Sequence, residues 1–132
     1  MLLEVHTEVV AGNRLLVVSG ELDIASGPEL AHAIDVELAL SAGPFGLDLT
    51  GLRFVDSSGA RALLHGSRRA EAQGCPLFLL VPADNRPVRR VFGLLGLETV
   101  LSIVEVLMPI VPRQELPADQ PSPPRSGPVT AG

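Results

Sequence analysis

Apolar positions along this chain fall into two periods, and the periods alternate. Residues 3 to 10, LEVHTEVV, alternate partly and are rich in Val, and LLVVSG at 15 to 20 is a second apolar run. Gly12 and Asn13 lie between them, so the pair predicts a β-hairpin. The second strand runs out into GELD, residues 20 to 23. From Ser26 the period becomes helical: Leu30, Ile34 and Leu38 recur every fourth residue, and Gly43 and Pro44 close the segment. Ser26 and Glu29 have the spacing of a capping box, with Pro28 in a first turn that tolerates it. FGLDLTGL, residues 45 to 52, returns to alternation through Phe45, Leu47 and Leu49 and predicts one strand.

RFVDSSGARALL, residues 53 to 64, opens the next helix, predicted over 58 to 73. Ala60, Leu63, Leu64 and Ala70 would face inward and Arg61, Arg68, Arg69 and Glu71 outward, with Gly74 as the stop. PLFLLVP at 76 to 82 is a short continuous apolar run, as a strand buried on both faces requires. A third helix follows, with Asp84 or Asn85 as cap, Pro87 in the first turn, a buried stripe of Val88, Val91, Phe92 and Leu95, and Gly96 at the end. ETVLSIVEV supplies a last strand, or a strand leading into a short helix. The order β-β-α-β-α-β-α-β predicts an α/β layer whose strands pair mainly in parallel after the hairpin. Beyond Pro109 the texture turns rich in Pro, Ser, Gly and Gln, so a folded domain over 1–108 and a disordered tail over 109–132 are expected.

Composition narrows the functional classes. The 132 residues suit one domain, and apolar residues at 46% are enough for a core built from Leu, Val, Ile and Ala, with four Phe and no Trp or Tyr. A net charge of −5 and the lack of a basic stripe with interleaved aromatics argue against nucleic acid. Every positive residue is Arg. The single cysteine, Cys75, excludes an internal disulfide and a thiolate metal site, and is expected to be a small buried hydrophobe. The apolar stretch near 100 to 111 is shorter than the ~20 residues of a membrane helix and contains Glu105 and Pro109. No signal-peptide pattern opens the chain, so a cytoplasmic location without membrane contact is expected.

The adjacent serines of DSSG carry the candidate chemistry. A strand-to-helix junction needs a cap, and Asp and Ser are favoured caps, so a structural role accounts for the tetrapeptide by itself. A catalytic nucleophile fits poorly: neither Ser57 nor Ser58 sits in G-x-S-x-G, and His6, His32 and His65 have no accompanying carboxylate pattern. No phosphate loop and no metal-ligand spacing occur, so no enzyme activity and no cofactor are expected. A regulated surface is the third reading. A phosphate at a helix start brings about −1.5 to −2 charges, which the helix dipole accepts and nearby carboxylates oppose. Parallel strand ends emerge on one sheet edge, which would bring Glu21 and Asp23 beside Asp56 and Ser57.

SGELDIAS at 19 to 26, LDLTGLRFVDSSGARALL at 47 to 64 and RPVRRVFGLLGLETVL at 86 to 101 together resemble the bacterial anti-sigma factor antagonists, single STAS-domain proteins of sporulation and general-stress regulation. The resemblance covers about residues 3 to 105 in the family's order and spacing. It implies a STAS-like α/β fold: a mixed, mainly parallel sheet with an N-terminal β-hairpin and packed helices. It also implies a mechanism. Such an antagonist binds an anti-sigma factor that is an ATP-binding serine kinase, and so frees the sigma factor. Phosphorylation releases the antagonist, and a serine phosphatase resets it.

Carried onto this chain, the resemblance makes Ser57 the phospho-acceptor and matches Asp23 to the acidic residue beside it. Ser58 becomes the helix cap, and Glu21, Asp56, Gly59, Arg61 and Leu64 complete the partner surface. Pro109 and Pro112 interrupt the region where the family places a further helix. The alternative is a constitutive STAS scaffold, unmodified at Ser57, inside a larger sensory assembly or a membrane lipid-transport complex.

Overall fold

In the computed structural model, which describes residues 2–40 and 43–107, six strands and three helices alternate much as the periodicity requires. Strands β1 (Leu3–Val10) and β2 (Asn13–Leu22) form the hairpin, paired in antiparallel register from Leu3↔Gly20 to Val10↔Asn13. Its turn is Ala11–Gly12 rather than Gly12–Asn13. Both turn residues have positive φ, as a two-residue primed turn demands, and Asn13 is already in the strand.

Helix α1 (Gly27–Leu40) follows, then β3 (Phe45–Asp48) and β4 (Leu52–Val55) in place of the single strand expected over 45–52. The Asp48 carboxylate accepts the Thr50 N–H, and Leu52 N–H bonds back to the Leu49 carbonyl, so the chain turns between them. Both halves run parallel to β2 on one side: β3 along Leu15–Val17 and β4 along Gly20–Leu22. Helix α2 (Ser57–Ala72), β5 (Leu77–Leu80) and α3 (Arg86–Leu95) come next. A 3-10 turn at Leu97–Thr99 precedes β6, which is only Ile103–Val104, so the last strand is shorter than its sequence suggests. The sheet order is β1-β2-β3-β5-β6, with β4 on β2, and every pair outside the hairpin is parallel.

One core lies between sheet and helices. Leu16, Val18 and Leu22 of β2, Leu47 and Leu79 from the neighbouring strands, Leu30 and Ile34 of α1, Leu63 of α2, and Val88 and Phe92 of α3 are all buried in it. One departure comes at the third helix. Leu95, expected inside, is exposed, because Gly96 adopts a left-handed conformation and turns the chain so that Leu97 and Leu101 enter the core instead. Asn85 does cap the helix, and its Nδ2 also donates to Leu49 O at 3.0 Å and Leu52 O at 3.1 Å, holding the break between β3 and β4. Cys75 is buried and unpaired, as expected. The tail expected over 109–132 lies outside the described residues.

A glycine inside α3 tests this geometry. Gly93 is exposed, and an added Cβ meets nothing within 4 Å. Gly93→Ala should therefore stabilise the protein by about 0.5–1 kcal/mol through helix propensity and a less entropic unfolded chain. A urea titration checks this as a rise in midpoint with an unchanged slope.

Candidate functional site

The site forms where β2 and β4 end side by side. Glu21 pairs in register with Phe54 and Leu22 with Val55, and Asp56 N–H then bonds to the Leu22 carbonyl at 3.3 Å. The loops carrying Asp23 and Asp56 therefore leave the same sheet edge, as parallel pairing of these strands requires.

Asp56, not Ser58, caps α2. Its backbone is extended at φ −109, ψ −173, and Oδ1 accepts the Gly59 N–H at 2.8 Å. The physical reason is the bond to Leu22: it keeps Asp56 in the strand direction, so the first residue free to turn helical is Ser57. Ser57 is then the first helical residue and is exposed, while Ser58 is half-buried and lines a cleft between α1 and α2. Asp56→Ala should cost about 1 kcal/mol, the usual worth of an N-cap, and Asp56→Asn should recover most of it. Guanidinium denaturation of the three proteins measures both.

Asp23 organises the opposite loop. Its Oδ1 accepts the N–H groups of Ala25 and Ser26, each at 3.0 Å. The Ser26 hydroxyl accepts the Asp23 N–H at 2.9 Å and lies 2.9 Å from the Glu21 carbonyl and 3.1 Å from Asp23 Oδ1. The expected capping box between Ser26 and Glu29 does not form through the serine side chain, because that hydroxyl is occupied by Glu21 and Asp23. The Ser26 N–H foremost, helped by the Ser26 hydroxyl and the Ala25 N–H, holds the Asp23 carboxyl below the usual aspartate range. Asp23 is thus a fixed negative charge at neutral pH.

The remaining expected residues divide by exposure. Arg61 is exposed one turn along α2, and Leu64 is half-buried, packed against the core cluster. Glu21 is half-buried, and its Oε1 has no hydrogen-bond partner. Gly59, expected on the partner surface, is buried. Its Cα sits so close to β2 that an added Cβ would lie 2.2 Å from the Leu22 carbonyl oxygen. It is a packing residue that lets α2 approach the strand.

Three features escaped sequence reasoning. Ile24, at the tip of the Asp23 loop, is 77% exposed, and an apolar residue inside an otherwise polar turn was the available signal. Ser26, read only as a helix start, ties that loop together, and its spacing of three from Asp23 was the cue. The cleft of about 480 Å³ between α1 and α2 is walled by small residues such as Gly27, Ala31, Ala62 and Gly66, with Arg61 and His65 also lining it. Among the described residues, no helix is long and apolar enough to cross a membrane.

A family model described as "Mlab, STAS domain" matches residues 7–107. Among curated proteins, none matches the chain significantly in sequence. Solved structures share its fold. An anti-sigma factor antagonist from Mycobacterium paratuberculosis superposes with a TM-score of 0.69 at 24% identity, covering 80% of this chain and 88% of that one. The anti-sigma factor antagonist SpoIIAA in its unphosphorylated form gives 0.58 at 24% identity, over 78% and 88%. The Bacillus cell fate determinant SpoIIAA in its phosphorylated form gives 0.53 at 23%, over 78% and 91%. With a family match that runs from within β1 to beyond β6, and a fold held in common with these structures, the chain belongs to the STAS domain family.

Proposed function

We propose that this protein is an anti-sigma factor antagonist that binds an anti-sigma factor serine kinase and is switched off by phosphorylation of Ser57. The observation that carries the reading is the placement of Ser57: exposed, first in α2, and next to the Asp56 cap on the sheet edge that also carries Asp23. A hydroxyl there is accessible to a kinase, and the free N–H groups of the helix start accept the added charge. The fixed Asp23 carboxylate already makes the edge acidic, so a phosphate would sharpen repulsion of an acidic partner group. Glu21, Ser58, Arg61 and Leu64 contribute contacts around it. Residues 1–108 are the binding domain in this reading and 109–132 a Pro-rich extension, and a serine phosphatase restores the active form. Shared folds with antagonist structures, one of them phosphorylated, support it.

Paired baits test it. Ser57→Ala and Ser57→Asp proteins are exposed to extract of the source cells, and the retained proteins are identified. An ATP-binding kinase-like protein held by the Ala bait and lost with the Asp bait is the expected result. Incubated with ATP, that protein should label the unsubstituted chain and not Ser57→Ala. The same set of partners on both baits would make Ser57 structural. That outcome would favour the second reading, an unmodified STAS scaffold, to which the family description "Mlab, STAS domain" lends weight.

A further inference from the structure

Helix α3 carries two apolar stripes, and only one is fully buried in the core. Val88 and Phe92 are buried. Pro87, Val91 and Leu94 recur at the spacing of one helix face, and there Val91 is half-buried against the core while Leu94 is 77% exposed. Beside Pro87 and Val91, Phe54 of β4 is 45% exposed. Phe54, Arg86, Pro87, Arg90 and Val91 line a groove of about 400 Å³. Among the described residues Arg86 and Arg90 form no ion pair, whereas Arg89 of the same helix is engaged by Glu98 and Glu105. A chain of net charge −5 thus keeps an apolar groove flanked by two unneutralised guanidinium groups. Phe54 is three residues before Ser57, so the groove begins within ~10 Å of backbone from the serine.

We propose that this groove is a second docking surface for the partner that engages Ser57, and that it takes an amphipathic segment of that partner with acidic residues flanking apolar ones. The inference rests on the phospho-switched binding reading above. Charge complementarity selects the occupant: the apolar floor takes side chains such as Leu or Phe, and Arg86 and Arg90 take the flanking carboxylates. A second copy of this chain is a poorer occupant, because two chains of charge −5 repel. The groove is not altered by phosphorylation itself. It supplies affinity and orientation, while Ser57 supplies release.

The experiment uses the protein captured by Ser57→Ala and released by Ser57→Asp, purified and titrated against full-length variants by calorimetry. Leu94→Glu and Arg90→Glu both change solvent-exposed side chains, and matching melting curves show that each variant is folded. Each should weaken binding at least tenfold, and Arg90→Glu should also flatten the salt dependence of the affinity. Unchanged affinity for both, with the Ser57 pair still discriminating, overturns the groove and leaves the switch intact. A dimer of the full chain in sedimentation that Leu94→Glu converts to monomer also overturns it, by making the occupant a second copy. If no partner discriminates the Ser57 pair, the switch reading falls and the groove falls with it.

Discussion

Replacing Gly59 by alanine is expected to lower the melting temperature by roughly 10–20 °C. The added methyl would lie 2.2 Å from the Leu22 carbonyl oxygen, 2.8 Å from its carbon and 2.9 Å from Leu22 Cγ. Two of those three atoms are backbone, at the end of β2 that pairs with β4, so no rotamer change relieves the overlap. Either α2 moves off the sheet or β2 bends away from β4. Overpacking of this kind costs about 1–3 kcal/mol and sometimes more. The overlap is with rigid backbone, so the cost sits at or above the top of that range, about 3–4 kcal/mol; alanine regains about 1 kcal/mol as a better helix former, which leaves a net loss of about 2–3 kcal/mol. Calorimetric melts of Gly59→Ala and Gly93→Ala make an internal comparison: the same substitution in two helices, with opposite signs. A Gly59→Ala melt that coincides with the parent would mean that α2 does not lie this close to β2.

The second large effect is on binding. A doubly charged phosphate on Ser57 at ~8 Å from one partner carboxylate is repelled by about 1–4 kcal/mol for an effective dielectric of about 80 down to 20. That is a loss of affinity of about fivefold to a thousandfold. Aspartate carries one charge, so Ser57→Asp should lose only about twofold to thirtyfold by the same arithmetic. The three proteins therefore rank Ala, then Asp, then phosphoserine in order of falling affinity, and the gaps should narrow at 1 M salt, where the screening length is ~3 Å. Titration of each against the purified partner reads the ranking. Equal affinities for Ala and phosphoserine forms would remove Ser57 from control of binding.

Much of this fold is written in punctuation. Both ends of α3 were legible because Asn85 and Pro87 at its start and Gly96 at its end each have a backbone preference that acts locally. The break between β3 and β4 was not, because Leu49 and Leu52 both stay buried across it and the apolar pattern continues. Only Gly51, next to the turn that Asp48 makes with Thr50, hinted at it. The cap of α2 was ambiguous for a different reason. Asp56 and Ser58 are both good caps, and a long-range bond from Asp56 N–H to Leu22 O decides between them. Ser26 shows the same limit: its hydroxyl was free to cap its own helix until β2 brought the Glu21 carbonyl within 2.9 Å. For the site, the motif residues were readable one by one. Their shared edge followed from parallel pairing, while the cleft, the exposed Ile24 and the groove between Phe54 and α3 depend on packing that no local rule contains.

The parallel pairing of β2 with β4 also sets the order in which the molecule can assemble. The β1–β2 hairpin closes through a two-residue turn, so its contacts form early, on the ~1–10 μs scale of isolated hairpins. Joining Gly20 to Leu52 and Leu22 to Val55 must close a loop that includes all of α1, and such non-local contacts form late. Until they form, Asp56 has no Leu22 carbonyl to hold it, and Ser57 is one hydroxyl on an open chain. A kinase that recognises the assembled edge would then act only on folded molecules, leaving nascent and misfolded chains unmarked.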